Sequence, residues 1–319
     1  MFNLFNIAIN SFRESLREPV FYLMLAAALL LIGHYPSASI FVFSEQMKLV
    51  VDSSMATSLI FSLVIAVLAA SHTLGQEMRN GTVLLLMSKP VFRWSFVLGK
   101  IFGIVSAASL FALICNCAAI ISVYMATDQF RFDMGIYYSF GGVLIAGALV
   151  GMGANFWRGA SFPEIATYAT SLFIIIFAII CPLTQPAPEG ILVRDLCLAL
   201  ILVNFAVAAM ATISVVVATR ADVVQNLCIC TVIFFLGLVS NYLFQRNTDS
   251  EILNLIFNTL YAIIPNWQFF WLADAVAINR PIPISYVITA ATYVVIYIVI
   301  ASMWAVAIFQ NKELAADSR

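Results

Sequence analysis

Apolar runs of about 20 residues recur along the whole chain, each long enough to cross roughly 30 Å of hydrocarbon as an α-helix. Inside a bilayer every backbone N–H and C=O must find a partner within the protein, so only helices and closed barrels span. The period-two alternation with regular turns that marks a barrel is absent. The fold class is therefore all-α, a polytopic helical membrane protein. A chain that is 63% apolar and 10% charged, with 26 phenylalanines, fits nothing else. We read about eight spans, at roughly 20–40, 55–75, 98–125, 136–156, 163–182, 196–218, 224–244 and 284–309.

The connectors set the expected orientation through their Lys and Arg content. With the N-terminus inside, the inner segments hold Arg13, Arg17, Arg79, Lys89, Arg93, Lys100, Arg158, Arg220, Lys312 and Arg319. The outer ones hold Lys48, Arg131, Arg194, Arg246 and Arg280. Ten against five places both termini in the cytoplasm, together with the stretch at 79–100. Three places strain the plan. His34-Tyr35-Pro36 interrupts the first span, as a kink or an end. The fourth and fifth spans, joined by NFWRGASFPE (Asn155–Glu164), also fit an insertion or a re-entrant hairpin added to a six-span plan. In the long outer connector 245–283, PNWQFFWLAD (Pro265–Asp274) reads as an aromatic belt at the membrane boundary. A substrate-facing gate or partial re-entry is the sharper alternative.

Residues 1–18 have a pattern of their own. Phe5, Ile9, Phe12 and Leu16 recur at helical spacing, with Asn6, Asn10, Arg13, Glu14 and Arg17 elsewhere around the helix. That predicts an amphipathic helix lying in the interface rather than a cleaved leader. Pro19 suits the first turn of the helix that follows. Residues 19–319 then form a single transmembrane domain. Within them, GKIFG (Gly99–Gly103) and GALVG (Gly147–Gly151) are spaced for close helix packing in lipid.

QEMRNGTVLLLMSKPVFRWSFVLGK (Gln76–Lys100) carries five charges between runs that carry almost none. Asn80-Gly81 breaks the chain, Thr82 can cap a short helix (Val83–Ser88), and Pro90 ends it. Ser88 can cap the next helix. The short helix is apolar on nearly every side through Leu84, Leu85, Leu86 and Met87, so it must bury itself in headgroups or in a protein groove. Glu77, Arg79, Lys89 and Arg93 rim it with charge.

Chemistry-bearing patterns are scarce. There are two histidines, His34 and His72, near opposite faces, and no nucleophile–base or metal-ligand spacing. The six cysteines fall in or beside apolar runs and read as small apolar residues. FVLGK (Phe96–Lys100) fails as a phosphate loop. The positions that need Gly and Ser/Thr hold Trp94 and Ile101. The later spans lack the mid-depth charges of ion-coupled carriers, and a net charge of −1 gives no reason to expect nucleic acid. The chain is expected not to be an enzyme and to hold no cofactor or metal.

The arrangement E-x-x-x-G-T…LL-x-S-x-P-V-x-R…G-K is formed by Glu77, Gly81-Thr82, Leu85-Leu86, Ser88, Pro90-Val91, Arg93 and Gly99-Lys100. It resembles the permease subunits of ABC-2 type ABC transporters, closest to the branch linked to copper-enzyme maturation and to sodium or drug export. The N-terminal helix, Val215–Gly237 and WAVAIFQNKEL (Trp304–Leu314) are similar to that family too, whereas about 130–190 departs from its six-span plan. The resemblance implies a bacterial cytoplasmic-membrane permease, an exporter, powered by a separate ABC ATPase subunit that holds ATP and Mg. It implies a second permease chain, identical or homologous. The 76–97 loop would be the coupling helix, docked on the ATPase through Glu77, Arg79, Gly81, Thr82, Leu84, Leu85, Leu86, Ser88, Pro90 and Arg93. The alternative is a membrane scaffold or assembly factor without transport.

Overall fold

The computed structural model describes residues 2–39, 42, 45–75, 93–126, 131–186, 188, 190–244 and 251–316. Among these residues the chain is all-helical, and seven helices are long and apolar enough to cross a membrane. α1 (Phe2–Arg17) leads into α2 (Pro19–Ala38) through Glu18, with Pro19 in the first turn of α2, where its missing N–H costs nothing. α3 (Gln46–Ala70) ends in a π-turn, Ser71–Gly75. α4 (Arg93–Met125), α5 (Met134–Arg158), α6 (Phe162–Thr184) and α7 (Val193–Ala218) follow. Then come α8 (Val223–Leu238), the short α9 (Ser240–Phe244), α10 (Glu251–Ile263), a 3-10 turn at Trp267–Phe270, α11 (Ala273–Ala277) and α12 (Ile284–Ala316).

α3, α4 and α7 form the centre and pack on one another, with α2 and α12 against them. Their contact faces are rich in alanine: Ala107, Ala108, Ala112, Ala118 and Ala119 on α4, and Ala199, Ala206, Ala209 and Ala211 on α7. Lipid tails are as apolar as leucine, so helices in a bilayer gain by close backbone approach and by polar contacts rather than by burial alone. Both devices are present. Asn116 of α4 accepts from Ser58 Oγ of α3 at 2.6 Å and donates Nδ2 to the Leu200 carbonyl of α7 at 2.9 Å. Asn204 of α7 donates back to the Ser109 carbonyl at 3.3 Å.

α2 does not end at His34-Tyr35-Pro36 but runs on to Ala38. Proline cannot donate to the carbonyl four residues earlier, which here is Ile32. Ser122 of α4 supplies the missing donor, Oγ to Ile32 O at 2.9 Å. A neighbouring helix repairs the break, and the last turn survives.

α5 and α6 are both full-length and antiparallel, packed chiefly on each other. A Cβ at Gly147 or Gly151 would overlap Thr170 or Ala166 of α6, so GALVG is the seam of this pair. Asp133 caps α5 by accepting from the Gly135 and Ile136 N–H groups at 2.7 and 3.0 Å. Gly159, at φ 63°, closes its other end in the left-handed conformation that glycine adopts without a Cβ clash. Each helix of the pair is long and apolar enough to cross a membrane by itself.

The expected span at 224–244 is divided. α8 has 16 residues, about 24 Å at 1.5 Å per residue, and the helix breaks at Val239 before α9. The aromatic stretch after it is not a belt turned to lipid, since Trp267 and Phe270 are each 2% exposed. Phe269 and Phe270 pack on Tyr286 and Tyr293 of α12, and Trp267 packs on Phe234 of α8. Irregular backbone survives at depth only when its polar groups are satisfied by protein. Tyr286 and Tyr297 of α12 donate to the Phe269 and Ile263 carbonyls at 2.6 and 3.2 Å. Asn241, Tyr261, Asn266 and Gln268 bond among themselves, and Gln268 Nε2 reaches the Leu238 carbonyl at 2.7 Å.

Candidate functional site at the root of the charged loop

The sequence-predicted docking residues Glu77, Arg79, Gly81, Thr82, Leu84, Leu85, Leu86, Ser88 and Pro90 lie outside the described residues. Arg93 opens α4, and its side chain is also outside them. What is described is the root from which that loop leaves, namely the π-turn that closes α3 and the first turns of α4.

A second apolar cluster, separate from the main core, surrounds this root. Ala69, Ala70 and Leu74 of the outgoing stem meet Phe96, Val97, Ile101 and Ile104 of the returning one. Val215 and Ala218 from the end of α7, and Ala305 and Phe309 from the last described turns of α12, complete it. Ile7 of α1 packs on its edge. The start of the chain, both stems of the loop and the ends of α7 and α12 thus share one end of the bundle.

α1 is seated there by glycine. A Cβ on Gly99 would overlap the Ile7 side chain, and one on Gly103 would overlap the Ala8 carbonyl and Ser11. GKIFG is therefore the track on which α1 lies, through Ile7, Ala8 and Ser11. Of the four positions with apolar spacing, Leu16 is fully buried, Ile9 and Phe12 are half-buried, and Phe5 is exposed. α1 thus meets the protein through Ile7, Ala8 and Ser11 and also through Phe12 and Leu16, which reach the main core, while Phe5 stays outside the contact.

Two ion pairs fix this end. Lys100 Nζ lies 3.1 Å from Glu14 Oε2, with the lysine side chain 5% exposed and the glutamate 43%. Arg17 Nε donates to Glu164 Oε2 of α6 at 2.7 Å, and that hydrogen bond and charge raise the arginine's pKa above its ordinary value. The two members of the lysine pair differ in exposure, and Glu14 is the partner nearer to water. Glu14→Gln removes one charge partner of a buried lysine and is expected to destabilise the protein by about 1 kcal/mol. Denaturant unfolding in mixed micelles measures this, and an unchanged midpoint would contradict it.

A polar node, not foreseen from the sequence, ties the root to α8. Asn226 is fully buried and donates Nδ2 to Ser71 Oγ of the π-turn at 2.8 Å, and to Ser214 O and Oγ of α7 at 3.3 and 3.2 Å. Its Oδ1 accepts from Cys230 Sγ at 3.3 Å. π-turns cluster at functional sites because they carry an extra residue that a straight helix would not need. Here that turn is where α3 becomes the charged loop. The available signal was a lone asparagine within an apolar run, which calls for a partner in lipid.

Elsewhere little chemistry gathers. His34 is exposed and bonds Ser37, and His72 sits in the π-turn. Among the described residues no group of three or more His, Cys, Asp or Glu side chains could hold a metal. All six cysteines are free. Cys115, Cys181 and Cys230 are buried, Cys117 and Cys197 partly so, and Cys228 is exposed. No protein-family model matches the chain, and no curated protein matches it.

Proposed function

We propose that the chain is the membrane-spanning permease subunit of an ATP-driven ABC-2 type transporter, an exporter, whose separate ATPase docks on the 76–97 loop. One observation carries the reading: both stems of that loop pack into one cluster with the ends of α7 and α12, so force on the loop reaches several helices together. The motif residues Glu77, Gly81, Thr82, Leu85, Leu86, Ser88, Pro90 and Arg93 supply the resemblance. In this reading ATP and Mg belong to the ATPase subunit, a second permease chain completes the pathway, and the membrane is the bacterial cytoplasmic one.

Eight crossings fit this reading. Ile7 near the start of the chain and Phe309 near its end meet in the same cluster, as an even number of crossings would bring about. In this reading the seven long helices are joined by α8, extended by α9, as an eighth. The positive residues around α1 and the loop support a cytoplasmic side for this end and both termini. α1 serves as the interfacial elbow.

The test is purification of the native complex followed by a docking variant. An ATP-binding chain should co-purify, and Leu85→Asp with Arg93→Glu should weaken its capture at least about tenfold, as loss of a central apolar anchor does. Equal capture by the variant would end the docking assignment. A native complex lacking any ATP-binding chain would favour a scaffold instead.

A further inference from the structure

Between α3, α7 and α8 lies a lateral cleft of about 280 Å³, lined by ten residues that include Leu63, Val67, Met210, Leu227, Cys230 and Phe234. Its two ends are closed. At one, Asn226 holds α8 to Ser71 at the end of α3. At the other, Phe234 packs on Trp267 with ring centroids 6.3 Å apart, and Gly237 is pressed against the Pro265 carbonyl and the Trp267 indole. Between these fastenings the cleft is walled by α3 and α8, and Met210 of α7, buried, lines it from behind.

The cleft offers nothing to a polar ligand. Its hydroxyl, Thr231 Oγ1, donates to the Leu227 carbonyl of its own helix at 2.7 Å. Its thiol, Cys230, donates to Asn226. An apolar space of this kind excludes water. Nor does it suit a protein partner, since a stable interface takes about 20–30 residues a side and the lining provides ten. A helix from a second copy would also need a groove open along its length, and this one is shut at both ends.

The geometry points to a binding site for a single hydrocarbon chain of a membrane amphiphile, entering sideways between α3 and α8. An apolar cavity of about 150 Å³ takes benzene, so this volume takes a chain of roughly twelve carbons. The headgroup stays at the mouth, where the lining makes no demand on its chemistry. The inference needs the bundle to sit in a bilayer and is independent of the ATPase reading, so the two can fail separately.

The test uses the purified full-length chain in phosphatidylcholine nanodiscs with a fatty acid of that length bearing a terminal diazirine. On illumination, adducts should concentrate on 60–67 and 227–235 over the lipid-exposed faces of α5 and α6. Met210→Trp, which fills the floor, should reduce those adducts about tenfold, a difference of roughly 1.4 kcal/mol, and leave α5 and α6 adducts unchanged. Val64→Phe, on the partly exposed wall, should give the same loss more mildly should Met210→Trp fold poorly. Adducts that follow lipid exposure without enrichment, or that persist in both variants, would overturn the proposal. So would chain-to-chain crosslinks through the cleft, which would assign it to a second copy.

Discussion

Asn226→Leu is expected to destabilise the bundle by about 2–3 kcal/mol, the larger of the two strongest substitution effects the structure implies. Hydrogen bonds between membrane helices average about 0.6 kcal/mol and reach about 1.7. Asn226 bonds Ser71 of the π-turn and Ser214 of α7, two other segments, and accepts from Cys230 one turn along its own helix. Leucine keeps the branching and the number of side-chain heavy atoms, so no cavity opens, and the loss is that of the contacts and of the hydroxyls stranded with them. Unfolding by denaturant in mixed micelles measures the total. A double-mutant cycle with Ser71→Ala isolates the strut between the π-turn and α8. A loss below about 0.5 kcal/mol, or additivity of the two changes, would show that the node is dispensable.

Gly103→Leu is expected to cost about 2 kcal/mol and to lift α1 from α4. A Cβ there meets the Ala8 carbonyl and Ser11, and backbone cannot step aside as the end of a flexible side chain can. α1 would have to move as a whole, which also stretches the contact between Lys100 and Glu14. The signature is therefore coupled. In Gly103→Leu the penalty of Glu14→Gln should shrink, because the pair is already apart. Full additivity would mean that α1 keeps its seat and that the glycine track is not what holds it.

Much of the bundle was legible in the apolar runs, because length and hydropathy decide whether a helix can cross. The glycine pairs at 99/103 and 147/151 were legible for the same reason that they work, since small residues one turn apart admit a backbone. What escaped depended on a second segment. FFLGLVSNYLF reads as one continuous apolar run, yet α8 stops at Val239, just past Gly237, where Pro265 and Trp267 press in. α3 begins at Gln46, well before 55, because the polar set Lys48, Asp52, Ser53 and Ser54 lowers hydropathy without opposing a helix. The aromatic stretch at 265–274 looked like a boundary belt since Trp and Phe suit that place. Their burial is decided by Phe234, Tyr286 and Tyr293, which no local pattern names.

The candidate site divides the same way. Phe5, Ile9, Phe12 and Leu16 announced a helix, and Phe12 and Leu16 do reach the core, but the second contact line through Ile7, Ala8 and Ser11 was set by where α4 has glycine. Asn226 gave only a weak signal. A criterion tuned to charged residues in spans passes over an uncharged amide, although lipid makes the same demand of it for a partner.

The graded burial of the cysteines has a practical consequence for spectroscopy. Cys228 is the exposed thiol of the six and sits on α8 two residues from the cleft-lining Cys230. The unmodified chain therefore accepts a lipid-soluble spin or fluorescent label chiefly at one position. That position is on the helix that walls the cleft opposite α3, so the native sequence carries its own reporter of that spacing.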